Sequence, residues 1–584
     1  VTSSLRERAQ RWLEQDPDPE TRGELEALLR AGADDELRHA FEPPLVFGTA
    51  GLRGAVGPGP ARMNRAVVRR VAWALGQYLV ERGLAERPVV VGFDARPTSE
   101  TFARDTVEVL AAQGFDVLAF PLPTPTPWVA FACRALGAAA GVVVTASHNP
   151  RGDNGYKVYD DLGVQIVSPW DRRIAELMDA APAADQIVTR AGGGRAVPDE
   201  IVEAYFAGLV PPAGDAEATA APRLRVAYTP LHGVGLESVR RVIEGMGRAA
   251  LSVVAAQAAP DGTFPTTPFP NPEEPGTVDA LLELARSEQC DLALANDPDA
   301  DRLAVCLPDD DGVWRRLSGD EVGVLLADHL LASGAPAPAG RVVASSVVSS
   351  PMLDAVAASH GARVERSLTG FKWLCRVPAA LRPGERFVFG YEEALGYAVD
   401  PRVLDKDGIS AAASFVDLAL ALARQGKTVA EHLRQLFSSH GLWVSAPASV
   451  RLPAVDAPQR MTRAMERLRS APPAAIAGLP VTAHVDYARG AEHRAPHLGA
   501  QDLVQLELGA GAAALPQPEL ARHVLGGRVL VRPSGTEPKV KLYVHLRGAV
   551  PDGASAAAWR EARARLEELG AEVAQALATH LGFT

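Results

Sequence analysis

The stretch Thr145-Ala-Ser-His-Asn-Pro150 brings a hydroxyl, an imidazole and an Asn-Pro turn signal together at the end of a small-apolar run, residues 136–144. Such a run reads as a buried strand, and Asn-Pro reads as its stop. A serine at a strand end is a place for a nucleophile, a phosphoryl carrier or a plain helix cap. Ten residues on, Asn154-Gly-Tyr-Lys157 supplies an amine able to act as acid or base.

A second cluster, Asn296-Asp-Pro-Asp-Ala-Asp-Arg302, follows the apolar run at 291–295. In extended backbone Asp297, Asp299 and Asp301 would point to one side. Three converging carboxylates repel one another unless a cation sits between them. Oxygen-only ligation suits Mg²⁺. An EF-hand needs Gly at its sixth position and Glu at its twelfth, and Arg302 and Pro308 stand there instead. The plain alternative is a solvated acidic turn; the preceding strand and Arg302 favour a metal site.

Three further segments carry weaker signals. In Val531-Arg-Pro-Ser-Gly-Thr-Glu-Pro-Lys539, Arg532, Ser534, Gly535 and Thr536 have the makings of an anion cradle, with Lys539 and Lys541 adding charge. Phe389-Gly-Tyr-Glu-Glu-Ala-Leu-Gly-Tyr397 holds adjacent carboxylates that can accept sugar hydroxyls. Phe47-Gly-Thr-Ala-Gly-Leu-Arg-Gly54 flanks Arg53 with glycines and could aim it into a cleft.

Strand-loop-helix units must position these pieces. Strand starts at 87–94, 223–230 and 340–349 recur at long intervals and suggest three α/β domains of one plan. Thr98 and Ser99 read as N-caps after the first. Residues 1–40, with Leu25, Leu28 and Leu29 on one face, read as a helical lead-in. Pro/Ala/Gly-rich stretches at 211–222 and 332–340 read as linkers. From about 446 the pattern becomes α+β, with strands at 480–486, 528–531 and 541–546 and a closing helix at 556–580. The expected domains are 1–210, 222–332, 340–445 and 446–584.

Composition narrows the partners. The 584 residues carry a net charge of −12, with 47% hydrophobic and 22% charged residues. Such a chain exceeds a single core, and its acidity argues against nucleic-acid binding while leaving room for a local basic pocket. No apolar run is long enough to span a membrane, the first residues lack a secretory h-region, and Cys133, Cys290, Cys306 and Cys375 form no metal or disulfide spacing. A cytoplasmic enzyme, monomeric or a small homo-oligomer, is expected.

Taken in order, the five pieces resemble the α-D-phosphohexomutase superfamily over roughly residues 40–547, nearest its phosphoglucomutase-2/phosphopentomutase-like branch. The serine and aspartate motifs carry the resemblance. Tyr228-Thr-Pro-Leu-His-Gly-Val-Gly235, Thr263-Phe-Pro-Thr-Thr-Pro-Phe-Pro-Asn-Pro-Glu-Glu274 and Thr369-Gly-Phe-Lys-Trp373 carry the branch likeness. The resemblance implies four domains around a central cleft: three related α/β domains and a C-terminal α+β domain. It implies that Ser147 is a phosphoserine sharing Mg²⁺ with Asp297, Asp299 and Asp301, and that Arg302 holds the active phosphate. Arg53, His148 and Lys157 become the catalytic surroundings. Thr369 and Gly370 fall in a substrate loop, Glu393 accepts sugar hydroxyls, and Lys406 contacts substrate. Arg532, Ser534, Gly535 and Thr536 grip the non-transferring phosphate. Where many relatives have Glu-x-Ser-Gly, this chain has Glu393-Ala-Leu395-Gly396, so one hydroxyl contact to the sugar is missing.

The implied activity is a phospho-sugar mutase. Phosphorylated Ser147 gives its phosphoryl group to a sugar monophosphate; the bisphosphate, such as glucose 1,6-bisphosphate, turns round and returns the other phosphate. Lys157 is expected to deprotonate the acceptor, with its pKa lowered by cations such as Arg53. Rivals are a sugar-1,6-bisphosphate synthase, a phosphomannomutase (set behind because the branch segments differ) and a non-catalytic sugar-phosphate sensor. A serine hydrolase is disfavoured, because His148 is the immediate neighbour of Ser147 and no G-x-S-x-G elbow surrounds it.

Overall fold

A computed structural model of the chain describes residues 4–47, 51–209, 223–309, 311–333, 339–452, 456–510, 524–534, 539–550 and 553–583. Both stretches read as linkers fall wholly or partly outside these residues. The chain forms two compact units: residues 1–307 with 396–424, and residues 308–395 with 425–584.

The first unit begins with helices Leu5–Gln15, Pro19–Ala31 and Asp34–Phe41. They bury Ala9, Leu25, Leu37, Ala40 and Phe41 together, with Leu28 and Leu29 packed alongside. A six-stranded sheet follows, in the order Leu52–Ala55, Asp153–Tyr159, Ala140–Val144, Val89–Phe93, Val117–Ala119, Gly194–Ala196. Val89–Phe93 and Ala140–Val144 run parallel and are buried along their whole length, as their unbroken apolar runs require. Asp153–Tyr159 returns antiparallel beside Ala140–Val144, with Val143 opposite Lys157. The serine loop is therefore the connection between two adjacent central strands.

A second sheet in this unit orders Ala249–Val253, Leu224–Thr229, Leu292–Ala295 and Ala304–Pro308, the last antiparallel to its neighbour. The aspartate loop leaves the end of Leu292–Ala295. Helix Gly408–Ala423 packs on helix Leu236–Gly245.

In the second unit, Arg341–Ser346 is flanked in parallel by Arg363–Ser367 and Arg386–Glu392. A C-terminal antiparallel sheet orders Leu442–Arg451, Lys539–Gly548, Val524–Pro533, Val504–Leu508, Leu479–Asp486 and Ala475–Ile476. Helix Ala556–His580 packs on Leu442–Arg451 and Lys539–Gly548. Among the described residues the protein is thus a mixed α/β chain with four sheets. Among the described residues, no helix is long and apolar enough to cross a membrane.

Two local expectations need correction. Thr98 stands at the N-cap of Ser99–Ala112 but makes no capping hydrogen bond; its hydroxyl accepts from Asn154 Nδ2 at 2.8 Å. Ser99 donates to Asp94 Oδ1 at 2.6 Å. Both hydroxyls serve the loops at the strand ends rather than the helix.

Candidate active site

Ser147 sits in the first unit, 3% exposed, with φ +53°. This left-handed conformation is rare for a residue with a Cβ and persists only where the surroundings impose it. Its Oγ donates to Asp297 Oδ2 at 2.8 Å and lies 3.1 Å from His148 Nδ1. His148 is held well below its ordinary pKa by burial and by the nearby Arg302 and Arg53 cations. Arg53 Nη1 reaches Asn149 Oδ1 at 3.3 Å; its strand pairs with Asp153–Tyr159, setting Arg53 opposite Gly155. Gly155 has to be glycine, because a Cβ would lie 2.6 Å from the Thr145 carbonyl. Residues Gly48, Thr49 and Ala50 of the Arg53 motif lie outside the described residues.

Asp297, Asp299 and Asp301 are fully buried, and a ligating oxygen from each lies within 4.8 Å of the others. They converge through a turn rather than through the alternation of extended backbone. Ala300 N donates to Asp297 O at 2.9 Å, and Ala300 has φ +56°. Asp299 Oδ1 and Asp301 Oδ1 are buried without a hydrogen-bond partner among the described residues. Buried polar atoms are almost always satisfied, so two orphaned carboxylate oxygens facing an all-oxygen cluster fit a hard divalent cation. Burial and the neighbouring Asp301 and Asp299 push Asp297 well above the usual carboxylate range.

Lys157 Nζ stands 2.6 Å from Asp299 Oδ2 and 2.8 Å from Asp301 Oδ2. Burial pushes its pKa down, but Asp299 and Asp301 outweigh it and leave the lysine above its ordinary value. The expected lowering by Arg53 is therefore reversed, because two carboxylates touch the amine and Arg53 does not. Lys406 joins the same cluster, 3.2 Å from Asp301 Oδ2 and 3.3 Å from Asp405 Oδ1. Asp405 Oδ2 is held in turn by Tyr159 at 2.5 Å and Gln165 at 2.8 Å. Arg302 N donates to Asp297 Oδ1 at 3.0 Å; its guanidinium is 4.0 Å from Asp297 and Asp301 and 3.5 Å from Glu273.

The branch-level segment 228–235 supports this loop through hydrogen bonds to its first residues. Tyr228 donates to Asn296 Oδ1 at 2.8 Å, and Val234 N donates to Pro298 O at 2.9 Å. A Cβ on Gly233 would lie 2.4 Å from Pro298. Residues missed from sequence include Thr126, whose Oγ1 donates to Asp299 Oδ2 at 2.6 Å across 173 residues. A lone threonine in a Pro-Thr-Pro helix start carries no sequence signal for such a contact.

In the second unit, Glu393 Oε2 accepts from Ser346 and Ser349, each at 3.2 Å, and Glu393 N donates to Ser349 Oγ. Burial, with Glu392 and Asp320 nearby, pushes Glu393 up to about 7. Glu392 Oε1 accepts from Gly370 N at 2.6 Å; Gly370 has φ +119°, and the Thr369 hydroxyl is buried without a partner among the described residues. Leu395 is buried with φ +61°. Ser346 and Ser349 bring two hydroxyls to Glu393 that no contiguous motif announced. Arg532 lies opposite Lys541 where Val524–Pro533 and Lys539–Gly548 pair, and Ser534 N donates to Lys539 O at 2.8 Å. Gly535 and Thr536 lie outside the described residues. Burial, with the Glu393 charge adding to it, pushes the Tyr543 hydroxyl of this hairpin up.

Four family models match the chain. They are described as phosphoglucomutase/phosphomannomutase alpha/beta/alpha domains I, II and III, over residues 44–185, 203–311 and 318–440, and the C-terminal domain, over 500–572. A Haemophilus influenzae protein named probable phosphomannomutase is 40% identical over 84% of this chain and 94% of its own length. The human phosphopentomutase is 33% identical over 92% of this chain and 90% of its own. The solved structure of the Paramecium phosphoglucomutase parafusin matches with a TM-score of 0.65 at 18% identity, over 92% of this chain and 95% of that one; at such identity the likeness speaks for the fold.

Proposed function

Because this chain belongs to the phosphoglucomutase/phosphomannomutase family of the α-D-phosphohexomutase superfamily, and so is a phospho-sugar mutase, we propose that Ser147 carries the transferred phosphoryl group. The observation that carries this reading is the strained Ser147, its Oγ held 2.8 Å from Asp297 beside an oxygen cluster with two orphaned atoms.

Phosphorylated Ser147 donates to the free hydroxyl of a sugar 1-phosphate. In net, the proton of the acceptor hydroxyl passes to the serine oxygen as the phosphoryl group passes the other way, leaving a 1,6-bisphosphate, or a 1,5-bisphosphate for a pentose. The bisphosphate turns round and its other phosphate returns to Ser147. His148, whose Nδ1 faces Ser147 Oγ, handles the proton at the serine oxygen. Lys157 carries positive charge into the site and keeps Asp299 and Asp301 in place. Asp297, Asp299 and Asp301, with the serine oxygen, would hold Mg²⁺, which supplies charge neutralisation for phosphoryl transfer. Arg302 and Arg53 face the phosphoryl oxygens. Lys406 fixes Asp301 and lies beside the substrate.

Glu393 takes the sugar hydroxyls, with Thr369 and Gly370 shaping its loop, while Arg532 and Ser534, and by the family pattern Gly535 and Thr536, take the resting phosphate. A sugar phosphate is then the small-molecule partner and a sugar bisphosphate the primer. Such charged metabolites do not cross membranes, which supports a cytoplasmic enzyme.

Glucose and pentose phosphates are the favoured substrates. A mannose phosphate stands beside them, since the relative at 40% identity carries that name. A panel of glucose, mannose, ribose and deoxyribose 1-phosphates, compared by kcat/KM with and without bisphosphate, tests the reading. Absence of turnover on all four would remove it.

A further inference from the structure

Resting on Ser147 as the phosphoryl carrier, we infer that Arg96 is a positioning residue that fixes the carrier's backbone, with the segment around Phe264 clamping it. Arg96 and its partner Asp94 each have a side chain 1% exposed. A guanidinium has five N–H donors in a planar fork, and here each has an acceptor. Nε donates to Asp94 Oδ2 at 3.2 Å. Nη1 donates to Pro150 O at 2.8 Å and Asp153 O at 2.9 Å. Nη2 donates to Ser147 O at 2.7 Å and Asn149 O at 2.6 Å.

Asp94 completes the hold. It accepts from Arg96 N at 3.0 Å and from Thr145 Oγ1 at 2.7 Å, and Thr145 Oγ1 accepts from Ser147 N at 2.8 Å. The carbonyl of Ser147 is thus held by Arg96 and its N–H, through Thr145, by Asp94. Both peptide groups of a residue at φ +53° are pinned by one buried ion pair, which is what a left-handed serine needs to persist.

The segment 261–273 bears on the same group. The Phe264 ring lies 5.0 Å from Arg96 Cζ, and Phe264 has φ +48°. A Cβ on Gly262 would meet Arg96 Cα at 2.4 Å and Ala95 O at 2.5 Å, so the two backbones are in direct apposition. Further along, Phe269 packs 6.4 Å from the His148 ring and Glu273 lies 3.5 Å from Arg302. The Pro-rich branch segment therefore holds the carrier loop and its neighbours in register.

The test is single-turnover phosphorylation of dephosphorylated enzyme by glucose 1,6-bisphosphate, read at the Ser147 peptide, for the wild type, Arg96→Lys and Phe264→Leu. Lysine offers three donors from one atom and cannot reach four carbonyls as the fork does. Arg96→Lys is expected to keep the amplitude and lower the rate about 100-fold, the scale of a misplaced reacting group. The bisphosphate half-saturation should stay within about threefold, since ground-state binding is untouched. Phe264→Leu keeps every hydrogen bond of the fork and should slow the rate by about fivefold, the size of one lost cation–π contact. A wild-type rate in both variants overturns the inference. So does a loss of amplitude alone, which would mark a merely structural role. A wild type that takes no phosphate at Ser147 removes the carrier assignment instead.

Discussion

Lys157 Nζ lies 2.6 Å from Asp299 Oδ2, and both side chains are buried. With Asp301 at 2.8 Å from the same amine, the three aspartates divide their work: Asp297 faces the serine, and the other two face lysines. A fixed cation inside the cluster lets three buried carboxylates coexist, and it ties the strand behind the serine loop to the aspartate loop.

Breaking this pair should be costly. Lys157→Met leaves the buried Asp299 without its cation, while Asp301 keeps Lys406, and is expected to destabilise the protein by about 3–5 kcal/mol in urea unfolding. Adding Asp299→Asn should recover part of the stability and none of the mutase activity. Additive losses in this double-mutant cycle would show that the pair is not coupled.

Freshly purified protein should carry one phosphate on the peptide containing Ser147, detectable by mass spectrometry. Ser147→Ala should fold, carry none, and turn over no sugar phosphate even with added bisphosphate. Full activity from Ser147→Ala would remove the serine from the mechanism.

Chelation should abolish turnover and added Mg²⁺ should restore it, because the orphaned oxygens of Asp299 and Asp301 suit a hard cation. Asp301→Ala should lose activity and the metal-dependent rise in melting temperature together. Undiminished turnover in chelator is the contrary result.

Glu393 gives the expected pH dependence. Its carboxyl is raised from 4.5 to about 7 in the folded protein by burial and by Glu392 and Asp320. Between those values the folded state holds a proton that the unfolded state has lost, so stability contributed here falls as pH rises through the window, by at most about 1.4 kcal/mol per unit. Sugar recognition runs the other way, since the ionised form is the better acceptor. kcat/KM should therefore climb through pH 7, and Glu393→Gln should flatten that limb and raise KM. An unchanged profile in Glu393→Gln would assign the limb to another group.

Much of the site's chemistry was legible in the chain, because motif residues cluster locally. Ser147 follows its strand and the aspartates follow theirs, and each strand end was marked by an apolar run followed by polar and turn residues. The hairpin with Arg532 was visible for the same reason. The direction of Lys157's pKa was not, since it depends on which charges touch the amine rather than on which are nearby in sequence. Nor was the turn that gathers the aspartates, which rests on a left-handed Ala300 that alternation cannot signal.

The sequence by itself marked the candidate groups for the chemistry, the strands that end beside them and the acidic, mixed α/β character of the chain. Only the tertiary structure decided how those groups are held. Thr126 reaches Asp299 across 173 residues, Lys406 reaches Asp301, and Arg96 closes on the backbone of Ser147. Contacts of this kind arise when distant elements pack, and a buried polar group then takes whichever partner the packing supplies, because leaving it unpaired costs more than the bond itself gains.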